Sequence, residues 1–327
     1  WRCHLQKNHV KTFRRNFILA AAISAFVTTV FSAQTAGVQS GVDWKNFLAK
    51  QDLVWNSLPK NWDDGAFIGN GLLGAMIYSG ETNSLQWDVG RSDVTDNGDR
   101  IAIGKFVLAP QSKITGGAMR LDLWNAEARG DLKTAGGEIK WRSFTHAKNL
   151  VTVIELNSAA GDLPKIIFQH SPALPARLVY QRQPIPEEDK NPEPTFGETD
   201  GVNWCEQKLH DGRGYVVAWA EKKLSPEHEI FYFTVDYVKT NPLNPATAVA
   251  NIQSASNENF NDLVASHRAW WHDFYPKSFL SIPDARMESF YWIQMYKLAS
   301  ATRANRPAID LMGPWFHRTP WPHIWWN

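Results

Sequence analysis

Between about residue 42 and residue 250 the apolar positions come in short runs, rich in β-branched and aromatic residues and separated by turn residues. Residues 119–124 (MRLDLW) alternate with period two, as do parts of 138–144 and 150–156. Residues 165–169, 215–220 and 229–235 read as further strands. The pairs Gly116-Gly117, Gly136-Gly137, Gly161-Asp162 and Asp211-Gly212 mark turns between them. The Pro- and acid-rich stretch 183–200 reads as a long surface loop. No helix-length periodic segment interrupts these runs. Many short strands without intervening helices predict a mainly β fold, a β-sandwich domain over residues 42–255.

The period changes near residue 256. Phe260, Leu263, Val264, His267, Trp271 and Phe274 fall on one face of a helix. Ser256 or Asn257 is a suitable N-cap for it, and Pro276 ends it. Asp284 caps a second helix that runs to about Arg303, with Met287, Tyr291, Met295 and Leu298 as its apolar face. Residues 256–306 thus form a helical linker. Two helices with aromatic-rich faces cannot bury themselves alone, so a further domain is expected to begin at 307 and to continue past Asn327.

The first residue is Trp1, and the run 17–31 (FILAAAISAFVTTVF) is apolar and uncharged behind Lys11, Arg14 and Arg15. Small residues follow at Ser32 and Ala33. This is the pattern of a secretory signal peptide over residues 1–33, and the run is shorter than the roughly 20 residues that span a bilayer. The expectation is an exported protein, periplasmic or extracellular, with no membrane segment once the signal is removed.

Charge narrows the partners. Lys and Arg total 34 against 33 Asp and Glu, with no basic stripe, so no nucleic acid is expected. Of the two cysteines only Cys205 follows the signal, which excludes a disulfide framework and a Cys-based zinc site. His267 and His272 are five apart rather than the four of a helical zinc pair, so no metal and no cofactor is expected, and His267 reads as a core histidine. The 16 Trp are unusual for 327 residues. Indole faces stack on sugar C–H faces, although most of these Trp are expected in the core. The terminal run Pro320-Trp-Pro-His-Ile-Trp-Trp-Asn327 is irregular, aromatic and polar at once, which suits a sugar subsite. Trp315, Trp321, His323, Trp325 and Trp326 are the candidate substrate-binding residues, and a glycan the expected partner.

Two further motifs read as structural. Gly69, Gly71 and Gly74 match the spacing of a dinucleotide fingerprint, but they lead into a strand rather than a helix, so a turn between strands is expected. Asp88, Arg91, Asp93 and Asp96 are dense enough for catalysis, yet an Arg–Asp structural network fits them better.

Four segments together resemble glycoside hydrolase family 95, the inverting α-L-fucosidase family, and its relatives. Gly69-Asn-Gly-Leu-Leu-Gly-Ala-Met76 is similar to the family's "GNGRLGAM" turn. His267-Arg-Ala-Trp-Trp-His-Asp-Phe274 resembles its "H-x-x-W-W-x-x-F" helix start, and Glu288-Ser-Phe-Tyr-Trp-Ile-Gln-Met-Tyr296 its "E-x-x-Y-x-x-x-Y" helix. Gly313-Pro-Trp315 with Pro320-Trp321 and Asn327 resembles the start of its barrel. The resemblance implies a sandwich, a helical linker and an (α/α)6 barrel beginning at 307–327. It also implies an Asn-x-Asn motif that positions the attacking water, of which Asn327 would be the first Asn and the candidate catalytic residue. The second Asn, the Glu acid and the Asp would lie beyond Asn327, in a barrel that residues 1–327 do not contain. The segment 87–96 (WDVGRSDVTD) departs from the family's "N-E-D-T-L-W" type, which points to a divergent branch.

Inverting hydrolysis needs an acid and a base roughly 6.5–9.5 Å apart with water between them, and residues 34–327 supply no such pair by sequence. The expectation is therefore the N-terminal part of an exported glycoside hydrolase, inactive by itself. A non-catalytic carbohydrate-binding sandwich and a family 65-type (α/α)6 phosphorylase are the alternatives. The linker helices argue against a free-standing module.

Overall fold

The computed structural model describes residues 41–80, 83–159, 163–239 and 243–316. From Asp43 onward the described residues belong to one compact unit. The expected signal over 1–33 lies outside them. So do Gly161-Asp162, Trp321, His323, Trp325, Trp326 and Asn327. The fold is mainly β: two large antiparallel sheets packed as a sandwich, followed by a few helices.

The larger sheet has nine strands in the order β1 (Leu53–Trp55), β8 (Ile114–Asp122), β9 (Glu127–Thr134), β10 (Gly137–Thr145), β11 (Thr152–Ser158), β16 (His228–Val238), β15 (Gly214–Ser225), β14 (Val202–Lys208) and β13 (Thr195–Thr199). The smaller has five: β12 (Ile166–His170), β7 (Gly104–Leu108), β4 (Leu85–Arg91), β3 (Leu73–Tyr78) and β2 (Ala66–Gly69). A small hairpin, β5 (Thr95–Asp96) and β6 (Asp99–Arg100), stands beside them. Aromatic side chains join the sheets. Trp87 of β4 meets Trp141 of β10 edge-on at 5.9 Å, and Phe106 of β7 lies 4.5 Å from Phe233 and 5.3 Å from Phe231 of β16. Such pairs add about 0.5–1.5 kcal/mol each beyond the area they bury.

Among the described residues five α-helices accompany the strands: α1 (Trp44–Ala49), α2 (Ala176–Gln181), α3 (Ala246–Asn257), α4 (Phe260–Phe274) and α5 (Ala285–Ala301). Helix α3 lies on the outer side of the nine-stranded sheet, where Val249 and Ile252 join Val216, Ala218, Ile230 and Tyr232 in one apolar cluster. This covers the middle of that sheet on both faces. It explains why 215–218 and 230–235 are buried without alternation: a strand covered on both sides reads as a continuous apolar run.

Local readings fail where burial is shared or absent. Gly116 and Gly117 do not turn the chain; they lie inside β8, at a register shift, where a Cβ on Gly117 would come within 2.3 Å of the Asp131 carbonyl oxygen. The end of the expected loop 183–200 forms β13, an edge strand whose residues all stay out of the core, so no hydrophobic pattern marks it. The β pattern ends earlier than expected because α3 begins at Ala246, and its buried residues are mostly small (Ala248, Val249, Ile252 and Ala255). The cap of α4 is accordingly Asn259, whose side chain accepts from the N–H groups of Asn261 and Asp262. The cap of α5 is Asp284, as the sequence indicates, accepting from Arg286 and Met287. Helix α5 turns a different face inward from the expected one. Trp292, Tyr296 and Ala299 are buried, while Met287 and Leu298 are 54% and 52% exposed. The helix carries two apolar stripes, and the bulkier aromatic one packs on Trp44 and Phe47 of α1. Among the described residues no helix is long and apolar enough to cross a membrane.

Two buried histidines fix α4 to the sandwich. His267 accepts from the Ala147 N–H through Nδ1 at 3.1 Å, and its Nε2 donates to the Asn125 carbonyl oxygen at 3.0 Å. His146 accepts from the N–H groups of Lys148 and Asn149 through Nδ1, and its Nε2 meets Ser266 Oγ of α4 at 2.9 Å. Each ring has its hydrogen bonds in the neutral form, and burial disfavours the charged one. Burial pushes His146 down to about 4, helped by the charges of Lys148 and Arg303, and pushes His267 well below its ordinary value. An unfolded His titrates near 6.5, so between that pH and about 4 the unfolded chain binds more protons than the folded one, and stability falls as pH falls. His146 alone should contribute about 2 kcal/mol less stability at pH 5 than at pH 7. This is read in urea unfolding as the difference between the protein and His146→Gln at the two pH values, because the raised Glu229 carboxyl acts in the opposite direction over the same range. A difference that does not change between pH 7 and pH 5 contradicts this account.

Candidate functional site

The glycine motif is the turn between β2 and β3. Asn70 closes it: Oδ1 accepts from Leu72 N (3.2 Å) and Leu73 N (3.0 Å), while Nδ2 donates to the carbonyl oxygens of His146 and Asn149, both at 3.1 Å. Gly71 adopts φ +87°, a conformation that favours glycine, and its N–H donates to Ser300 O at 2.7 Å. The other glycines are required by closeness. A Cβ at Gly69 would stand 2.6 Å from Ser300 O, one at Gly74 2.9 Å from Pro314 Cγ, and one at Gly90 1.8 Å from Pro314 O. Together they make a bare floor on which residues 300–316 lie.

Side chains then clamp that segment. Arg100 of β6 pairs with Asp310 at 2.6 Å and donates to Gly313 O at 2.7 Å; both charged side chains are almost wholly buried. Trp315 donates from Nε1 to Ile68 O at 2.8 Å and packs edge-on against Phe67 at 5.2 Å. Tyr296 donates to Phe67 O at 2.9 Å. Arg303 lies 3.7 Å above the Trp270 ring and donates through Nη1 to Ala147 O. Burial pushes its guanidinium down to about 10, with the charge of Arg306 acting in the same direction.

Beside the clamp a cleft of about 700 Å³ opens between the 3-10 turn Trp62–Asp64, β2, α5 and residues 309–315. Trp55, Trp62, Phe67 and Trp315 line it, with Asp63 and Asp64 exposed on one side and Gln294 and Lys297 on the other. Trp55 donates to the Asp64 carbonyl oxygen at 2.8 Å, which ties the turn to β1. Aromatic faces beside hydrogen-bonding groups of both kinds, in a cleft of this size, suit a ring that is apolar on its faces and polar at its edge. The arrangement can bind and orient. Asp310, its one buried carboxylate, is already held by Arg100.

The same sandwich occurs in a carbohydrate-active enzyme. A protein described as a kojibiose phosphorylase from the human microbiome superposes with a TM-score of 0.52 at 13% identity, covering 76% of this chain and 38% of its own. A family GH92 α-mannosidase from Bacteroides thetaiotaomicron aligns at 11% identity with a TM-score of 0.37, over 79% of this chain and 40% of its own. The chain therefore spans well under half the length of these proteins. The likeness is one of fold. No protein-family model and no curated protein sequence matches the chain.

Of the sequence-predicted substrate residues, the described part contains Trp315 alone, buried with its indole N–H engaged and its ring lining the cleft. The Asp88 to Asp96 group does not converge. Arg91 holds Asp93 with two hydrogen bonds and reaches across to the Val235 carbonyl oxygen of the other sheet, the structural network expected of it. Asp88 takes the Tyr78 hydroxyl at 2.8 Å, and Asp96 takes Asn191 Nδ2 at 2.7 Å with His210 at 3.4 Å. His272 stacks on Trp124 at 3.9 Å rather than joining His267. Among the described residues no cluster of three or more His, Cys, Asp or Glu could hold a metal. Trp55, Trp62, Arg100 and Asp310 were not legible as a group. Their only sequence signal was Trp62-Asp-Asp just ahead of the glycine motif.

Removing one partner of a buried ion pair leaves a charge without compensation, at a cost of about 3–5 kcal/mol. Asp310→Ala should destabilise the protein by that order in urea unfolding and speed tryptic cleavage after Arg303. A loss below about 1 kcal/mol would show that the pair does not hold the segment.

Proposed function

We propose that the chain is the N-terminal sandwich and linker of an exported glycoside hydrolase acting with inversion on α-L-fucosides or related glycans. The observation that carries the reading is the seating of residues 300–316. Four glycines, a buried ion pair and an indole hydrogen bond are arranged to receive the segment that leaves α5. A free-standing carbohydrate-binding module has no use for that arrangement or for α4 and α5. The resemblance to family 95 at four segments and the fold shared with a carbohydrate-active enzyme support the same reading. Trp55, Trp62 and Trp315 would form one wall of the glycan site, and Asn327 would begin the water-positioning motif, with the acid beyond it. A binding role without hydrolysis is favoured by one feature only, the aromatic cleft, which needs no further residue to hold a sugar ring.

Residues 34–327 alone should release no aryl alcohol from aryl α-L-fucosides or aryl α-L-galactosides. Extended by its downstream coding sequence, the protein should do so, with the β-anomer appearing first by proton NMR. Turnover by 34–327 alone, or none by the extended protein, contradicts the proposal. Formation of a glycosyl phosphate in the presence of inorganic phosphate would instead mark a phosphorylase.

A further inference from the structure

A second cleft, of about 530 Å³, opens between the two sheets near the end of β7 and the start of β12. It shares no lining residue with the aromatic cleft. Glu229 lines it, near the start of β16. This residue lies on the same strand face as Phe231 and Phe233, which pack on Phe106, so its carboxyl caps the aromatic core at the rim. Glu229 is only 3% exposed, and its Oε1 has no hydrogen-bond partner. Burial raises its pKa to about 7; the charge of Glu221 and a hydrogen bond with it act in the same direction, against Lys223 and Lys165.

A buried carboxyl with an unfilled acceptor is a cost to folding. An apolar side chain would continue the Phe231 face without that cost. The remaining groups restrict what could fill the acceptor. Glu221 and Lys223 of β15 stand beside Glu229, Lys223 opposite it in register, and Lys165 lines the same space, so carboxyl and ammonium groups are intermixed. A carboxyl close to the ammonium groups weakens the pull of the cleft on a free ion of either sign. Carboxyl acceptors beside ammonium donors instead match groups that both donate and accept, and hydroxyls do both. Ile139 and the 58% exposed Ile167 supply an apolar wall.

We propose that this inter-sheet cleft binds a neutral saccharide, its hydroxyls donating to Glu229 and Glu221 and accepting from Lys165 and Lys223. The site does not depend on the hydrolytic reading, because it uses neither the aromatic cleft nor any residue after Glu229.

The test is saturation-transfer NMR of the full chain with the methyl glycosides of fucose, galactose, glucose, mannose and xylose, alongside calorimetric titrations with calcium and with acetate. At least one glycoside should bind saturably, and calcium and acetate should not. Glu229→Leu should weaken glycoside binding tenfold or more while the melting temperature holds or rises. Glu221→Gln, at an exposed position, should weaken binding without moving the melting temperature. On a Trp62→Ala background, which removes one wall of the aromatic cleft, Glu229→Leu should still cause the same loss. The proposal is overturned if no glycoside binds, if binding is insensitive to both Glu substitutions, or if calcium or acetate binds saturably and is lost in Glu229→Leu. Failure of the hydrolytic reading would appear in the turnover assay and leave these titrations as they are.

Discussion

Residues 300–316 lie so close to the five-stranded sheet that main chain meets main chain, and much of the organisation around β2, β3 and β4 follows from that closeness. With the Gly90 Cα in place and a Cβ only 1.8 Å from Pro314 O, no rotamer offers relief; the contact exists because the side chain is missing. The glycines then leave specificity to be set from the sides. Arg100 reaches in from the β6 hairpin, and Trp315 hangs its indole on the Ile68 carbonyl oxygen. The aromatic cleft is a by-product of the same seating, since two of its walls are the segment and the strand that receives it.

A different principle holds α4. There the sandwich uses neutral imidazoles whose two nitrogens bridge backbone N–H and carbonyl groups of separate loops. His267 connects residues 125 and 147, and His146 reaches Ser266. Arg303, stacked on Trp270 and donating to Ala147 O, links the two fastenings, so the helix and the seated segment share the loop that follows β10. Burial keeps these rings uncharged, which suits them to bridging and makes them the acid-sensitive part of the fold.

Strands and caps were legible where one element decides them alone. The alternation that starts at Met119 reflects β8, where Met119 and Leu121 are buried and Arg120 is not, although the strand ends at Asp122; Asp284 caps α5 through neighbours two and three residues away. What the sequence hid was pairing over distance. Arg100 and Asp310 are 210 positions apart, and neither has a local pattern to mark it. Glu229 looked like one more residue of an apolar run, and the unfilled oxygen that sets it apart is visible only when both sheets are in place. The faces of α5 were ambiguous for another reason. Period alone offers two stripes, and the choice between them depends on which partner, here Trp44 and Phe47, has a matching surface.

Asn70-Gly71 carries a consequence for the chemical lifetime of the protein. An asparagine followed by glycine ages by attack of the glycine nitrogen on the side-chain amide carbon, which closes a succinimide ring and ends in deamidation. That attack needs a rotatable amide and a nitrogen free to leave its hydrogen bond. Asn70 has both donors and both acceptor positions filled, and the Gly71 N–H is held by Ser300 O. The docked segment thus holds one of the two groups that must move in the very dipeptide that allows it to dock, while the Asn70 amide is held by Leu72, Leu73, His146 and Asn149 whether or not the segment is seated.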